Sequence, residues 1–146
     1  KLKYASEKGP ADITTDEIFD GKKVVLFAVP GAFTPTCSAA HLPGFVVNVD
    51  AIKAKGVDTV VCMAVNDAFV MGAWGKAQNA EHILMLADGS AELTHALGLV
   101  LDGTGFGLGI RCKRFAMIVN NGVVELLNID PAALEKTSAE AILAAL

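Results

Sequence analysis

Cys37 stands where a strand gives way to a helix. The stretch VVLFAVPGAFTPTCSAAHLPGF, residues 24 to 45, runs from an apolar strand through a Pro/Gly turn into a helix expected from about Thr36. Amide N–H groups without intrahelical partners and the positive end of the helix dipole stabilise an anion there. A thiol so placed ionises more readily than its free value of about 8.5, and the thiolate is the nucleophile. The other reading of Cys37 is a small buried thiol that packs and does nothing. Thr34 lies three residues earlier, so the turn can bring its hydroxyl near the sulfur, to donate to a thiolate or to accept from a bound hydroxyl group. Pro30 and Pro35 stiffen that turn. Arg114, set between Lys113 and Phe115 in an apolar strand, is costly to bury without a partner, and a thiolate would serve. A side chain snorkelling from a strand end would serve equally well.

Other chemistries find less support. Cys37 and His41 share a helix face, but a zinc site needs two more ligands at useful spacing, and none is present. Gly103, Gly105, Gly107 and Gly109 alternate and so fail the spacing of a phosphate-cradling loop. His82 and His95 read as ordinary polar or half-buried residues. TPTC puts Thr34 where a dithiol reductase would carry its first cysteine. Neither metal nor cofactor is expected.

The elements that must hold these residues alternate along the chain. Thr14 and Glu17 read as a capping box for a short helix. VVLFAV (24–29), VDTVVCMAV (57–65) and ILMLA (83–87) are apolar runs of strand length, expected to be buried on both faces. Between them lie the helix after Cys37, which Pro43 should kink and Gly56 close, and a helix capped by Asn66 or Asp67. AELTHALGL is a further short helix, and LDGTGFGLG (101–109) reads as a mobile loop. Asn121 and Gly122 join strands 112–119 and 123–129 in a hairpin, and Thr137 with Glu140 opens a last helix. Residues 1–11 read as irregular. The expected fold class is therefore α/β, a sheet flanked by helices on both faces, in one domain spanning 1–146.

Composition limits the function classes. With 146 residues, 53% of them hydrophobic, the chain can bury one core of ordinary size, and its apolar runs are too short to span a bilayer. A net charge of −4 with no basic stripe argues against nucleic acid. Cys37, Cys62 and Cys112 are an odd number at wide spacings, unlike a secreted disulfide framework, so a reducing, intracellular compartment is expected. The first residue is Lys, which suggests a processed or trimmed form whose targeting segment, if any, is gone.

PGAFTPTCSAAHLPGF resembles the active-site signature of the peroxiredoxins, with Pro30, Thr34 and Cys37 in the family's spacing. GAFTPTCS, HLPGF, KGVD, VNDAFVMGAW, LADGSA, THALGL and KRFAMIV, in that order, are similar to the type II (plant-like, atypical two-cysteine) branch from about residue 11 onward. The resemblance implies a thioredoxin fold and a thiol peroxidase acting on hydrogen peroxide and organic hydroperoxides. By position it makes Cys37 the peroxidatic cysteine, has Thr34 position the peroxide and Pro30 shield the pocket, and assigns thiolate stabilisation to Arg114. His41 matches the pattern as well. Phe33, Phe69, Val70 and Trp74 are either core or lining of the pocket or of a homodimer contact. The sulfenic acid formed on Cys37 must be reduced by a thiol. The resemblance offers Cys62 as resolving cysteine, but Cys62 sits mid-strand, and a buried core thiol is the other reading. Glutathione, glutaredoxin or thioredoxin would then act directly. Cys112 stands where the family pattern has serine, and an exposed thiol or a modification site is one reading. The cytoplasm, a plastid or a mitochondrion all fit. A redox sensor without turnover, or a thioredoxin-like binding module, would share the first chemical step.

Overall fold

The structure is a computed structural model and describes residues 2–146. In chain order it runs β1 (Leu2–Ser6), β2 (Gly9–Ile13), α1 (Thr15–Phe19), β3 (Lys23–Ala28), α2 (Leu42–Ala54), β4 (Thr59–Ala64), α3 (Ala68–Ala77) and β5 (Leu84–Ala87). Then follow α4 (Glu92–Leu97), β6 (Val100–Gly103), β7 (Gly109–Cys112), β8 (Arg114–Asn120), β9 (Val123–Asp130) and α5 (Ala139–Ala145). Seven strands form one mixed sheet in the order β2-β1-β5-β4-β3-β8-β9, and β6 pairs with β7 in a separate two-stranded ribbon. β3, β4 and β5 are parallel, whereas β8 joins β3 antiparallel in the register Leu26↔Met117.

The period of two along β3 divides the interior into two cores. Val25, Phe27 and Val29 face one side, where they meet Cys37, Phe45 and Ile52, Trp74 of α3 and Ile142 of α5. Val24, Leu26 and Ala28 face the other, against Ile18 of α1 and Leu93 and Leu97 of α4. Burial on both faces explains why VVLFAV reads as an unbroken apolar run. Helices flank both faces, as expected.

Four local differences from the sequence reading have physical causes. Residues 2–13 form a hairpin rather than an irregular segment, because β1 adds to the sheet through Lys3↔Ala87 and Tyr4↔Leu86, a tertiary contact that local pattern does not carry. The Gly-rich stretch is likewise ordered as the β6–β7 ribbon, in register Val100↔Cys112 and Gly103↔Gly109. A Cβ on Gly103 would lie 2.8 Å from the Leu108 Cβ, so glycine is what lets the ribbon close. The helix that carries Pro43 is not a regular α-helix from its start. A π-helical turn, Cys37–His41, precedes α2, with the Leu42 N–H donating to the Cys37 carbonyl, and Pro43 follows it directly, where the ladder of four-residue bonds is already interrupted. Finally, Ser138 rather than Thr137 caps α5, accepting from the Ala141 N–H at 3.1 Å, since the Thr137 hydroxyl is engaged elsewhere.

The other caps form as read. Thr14 and Glu17 exchange their hydrogen bonds. Asp67 accepts from the Val70 N–H at 2.8 Å. Asn121 and Gly122 both have positive φ, 48° and 79°, as a tight two-residue hairpin turn requires.

Candidate active site

The end of β3, the π turn and the start of β8 converge on one sulfur. Cys37 is 1% exposed and opens the π turn. Arg114 opens β8 and sits on the same side of the sheet, since Ala116 and Ile118, two and four residues on, belong to the core that holds Cys37. Its Nη2 donates to the Cys37 Sγ at 3.2 Å, and its Nη1 donates to His41 Nδ1 at 2.6 Å. A guanidinium has only donors, so His41 Nδ1 must accept, and the ring proton resides on Nε2. That proton goes to the Thr137 carbonyl at 2.9 Å. Burial, and then the Arg114 charge, lower His41 to about 4, with the Thr137 carbonyl and Asp130 opposing. His41 is therefore neutral near pH 7. A buried cation held by a neutral imidazole keeps its charge uncompensated on that side, and directs it at the sulfur.

Thr34 lies in the turn above. Its hydroxyl donates to the Gly31 carbonyl at 2.6 Å, and its own carbonyl receives the Ser38 N–H at 2.9 Å. With its proton committed to Gly31, the hydroxyl oxygen is left as an acceptor. Gly31 is tight: a Cβ there would sit 3.0 Å from Thr34 Cγ2 and 3.3 Å from Arg111 Nη1. Pro30 and Arg114 also line a cavity of about 220 Å³ with Leu101, Ile129 and Pro131.

Arg111 is a site neighbour that the sequence reading missed. Its Nε donates to the Leu108 carbonyl at 2.9 Å and its Nη1 to the Val65 carbonyl at 3.4 Å, tying the β6–β7 ribbon to the end of β4 beneath Gly31. The signal was available, because Arg111 interrupts Ile110 and Cys112 much as Arg114 interrupts its own strand. Ser38 was also missed; its hydroxyl accepts from Trp74 Nε1 at 3.0 Å.

The four apolar candidates separate. Trp74 is fully buried in the core and Val70 is half-buried, while Phe33 is 56% and Phe69 73% exposed. Phe33 adopts φ 63° in the site turn, with its ring centroid 6.4 Å from that of Trp74. His82 and His95 are exposed and lie outside the site.

All three cysteines are free. Cys62 is fully buried in β4 opposite Phe27 and Met85, and burial, then the proximity of Cys37 and Cys112, push its thiol far up. Cys112 is not an exposed thiol: it is fully buried and donates to the Val29 carbonyl at 3.1 Å, and burial pushes it up to about 12. Among the described residues no cluster of three metal-ligating side chains occurs, and no helix is long and apolar enough to cross a membrane.

A cation-held, water-poor thiol is suited to nucleophilic displacement on a small oxygen compound. Comparison with known proteins agrees. The Redoxin family model matches residues 2–143. Peroxiredoxin-2D of Arabidopsis thaliana is 50% identical over 136 residues, covering 92% of this chain and 84% of that protein. The chloroplastic Peroxiredoxin-2E of the same plant is 46% identical over 138 residues, covering 92% of this chain and 59% of that protein. The crystal structure of reduced Prx3 from Vibrio vulnificus in complex with hydrogen peroxide shares 59% identity at a TM-score of 0.94, covering 99% of this chain and 91% of that one, which establishes the thioredoxin-type fold. The chain belongs to the redoxin family and, within it, to the type II peroxiredoxins, which are thiol peroxidases.

Proposed function

We propose that Cys37 is the peroxidatic nucleophile and that Arg114, Thr34 and Pro30 complete its site. The observation that carries this reading is the 3.2 Å contact from Arg114 Nη2 to the sulfur while the other arm of the guanidinium rests on neutral His41. The Cys37 thiolate attacks the terminal oxygen of ROOH. An S–O bond forms as the O–O bond breaks, and RO⁻ leaves as ROH on taking up a proton. Sulfur is oxidised to the sulfenic acid and the peroxide is reduced to an alcohol or water. Arg114 meets the negative charge as it develops, Thr34 accepts from the peroxide hydroxyl, and Pro30 keeps water out. This step uses no metal and no cofactor.

Regeneration falls to an external thiol: glutathione, glutaredoxin or thioredoxin. Complete burial of Cys62 in mid-strand, which pushes its thiol far up, supports this route, because the attacking form is the thiolate. Exposed Phe33 in the site turn and exposed Phe69 of α3 support a homodimer contact. The continuous seven-stranded sheet supports a single domain over 1–146. Three free cysteines fit a reducing compartment, cytoplasm or organelle.

The test is peroxide consumption coupled to glutathione and glutaredoxin, or to thioredoxin. Turnover that disappears in Cys37→Ser is the expected result, whereas stoichiometric oxidation without turnover would make the protein a sensor. Mass spectrometry after one equivalent of peroxide separates the routes of regeneration. A sulfenic acid or glutathione adduct on Cys37 is expected, and a Cys37–Cys62 disulfide would overturn the external route.

A further inference from the structure

Asp130 ends β9 directly across from Arg114 in the β8–β9 register. Its carboxylate is enclosed by four donors. One oxygen accepts from the Glu135 N–H at 2.9 Å and from the Thr137 N–H and hydroxyl at 2.9 and 2.7 Å, and the other accepts from the Lys136 N–H at 3.1 Å. The segment after β9 is thereby folded back onto the end of its own strand. With both N–H and hydroxyl of Thr137 pinned to Asp130, the Thr137 carbonyl is turned away, and it receives the His41 Nε2 proton at 2.9 Å.

A second carboxylate in the molecule shows what such an arrangement does when it only caps. Asp88 accepts from the Leu93 N–H and from the Thr94 N–H and hydroxyl, at 3.2, 2.8 and 2.7 Å, and so secures the first turn of α4. Asp130 has no helix to secure, since Ser138 caps α5 on its own. What the Asp130 arrangement delivers is the aimed carbonyl.

We propose that Asp130 is a positioning residue for the reaction at Cys37, acting through the Thr137 carbonyl on the tautomer of His41, and through His41 on Arg114. The reasoning runs along proton ownership. A carbonyl fixed at Nε2 keeps the ring proton there and leaves Nδ1 bare, which is the only state in which His41 can accept from Arg114. When the carbonyl is released, the proton is free to reside on Nδ1, where it opposes a donor, and the guanidinium loses the contact that aims Nη2 at the sulfur. Burial alone would raise Asp130, but its backbone and hydroxyl donors outweigh this and bring it down to about 2, so the clamp is charged throughout the working range. The titratable and charged groups that face this relay are Cys37, Arg114, His41 and Asp130; Glu135 and Lys136 contribute only backbone N–H groups to it, and both residues are exposed.

This rests on Cys37 being the nucleophile, and its test is separable from that reading. In Asp130→Asn the rate of peroxide attack falls about tenfold, as expected for a catalytic group moved by a fraction of an ångström. The pH profile of Cys37 alkylation, which needs no peroxide turnover, moves upward. The ¹⁵N spectrum of His41 shifts from the Nε2–H form towards a mixture. Thr137→Val, which removes the hydroxyl but keeps the carbonyl, shows the same signs in weaker form and serves where Asp130→Asn does not fold. Ser138→Ala is the control, destabilising α5 while leaving the alkylation profile in place. If Asp130→Asn or Thr137→Val loses stability as Ser138→Ala does, yet retains the His41 spectrum and the alkylation profile, the positioning role is overturned.

Discussion

Cys37 and Cys112 are equally hidden, at 1% and 0% exposure, yet the molecule treats them in opposite ways. Cys37 receives a hydrogen bond from a cation, whereas Cys112 gives its own proton to the Val29 carbonyl. In the first the sulfur is an acceptor, as a thiolate must be; the second requires the thiol, since a thiolate cannot donate. Cys62 is a third case, with no exposure and burial as its dominant influence. Depth therefore does not distinguish Cys37 from Cys112. The sign of the hydrogen bond that meets each sulfur does.

The sharpest way to break this comparison is to remove the sulfurs one at a time. Cys37→Ser is expected to lower the peroxide reduction rate by about 10³-fold or more, because a hydroxyl is not ionised near neutrality, while Cys112→Ser and Cys62→Ser retain turnover. Equal losses in all three variants, measured in a coupled assay, would mean that the cysteines act as a unit. Next in size is the cation. Arg114→Met should slow peroxide attack by about 10² to 10³-fold and move the alkylation profile of Cys37 upward, with Arg114→Lys between it and the native enzyme. An unchanged profile in Arg114→Met would remove the basis for the contrast with Cys112.

A third prediction concerns the neutral partner. His41 sits near 4 in the folded state against 6.5 when free, so between these values the unfolded chain binds the extra proton. Stability is then full above pH 6.5 and declines as pH falls towards 4, by about 3 kcal/mol for a group so deeply buried. Urea titrations at several pH values would read this, and His41→Gln should flatten the slope in that window; a slope preserved in the variant would assign it to other groups. The smallest effect belongs to Cys112. Cys112→Ala leaves the Val29 carbonyl without its donor and should cost about 1 to 3 kcal/mol, while Cys112→Ser keeps a donor and should cost less. Thermal unfolding that ranks the two the other way would remove the structural role of that thiol.

Much of the candidate site was legible because its signals are local. Cys37, Thr34 and Pro30 lie in one turn, and the turn chemistry that positions them is written in adjacent residues. Arg114 was visible as a charge in an apolar strand, although its distance in sequence concealed its target. Its connection to His41 and Thr137 was not legible, since three elements far apart in the chain meet there only through the β3–β8 and β8–β9 registers. The β1–β2 hairpin escaped for a similar reason, because its stability comes from pairing with β5 rather than from its own pattern. Cys112 was read as an exposed thiol or a modification site because it stands where the family pattern has serine, whereas the end of β7 carries its side chain into the second core.

The π turn from Cys37 to His41 has a consequence best counted in residues. Such a turn holds one residue more than a regular α-helix needs, which makes it an insertion that the chain has kept. Deleting Ala39 would let the helix close with ordinary four-residue spacing and need not harm the packing of α2. It would also bring Cys37 from four to three residues before His41 and so change the angle between them about the helix axis. Arg114 contacts both residues, and the expected product is a folded protein in which the guanidinium no longer holds both, read as slower alkylation of Cys37. At this point in the chain, length matters as well as side chain.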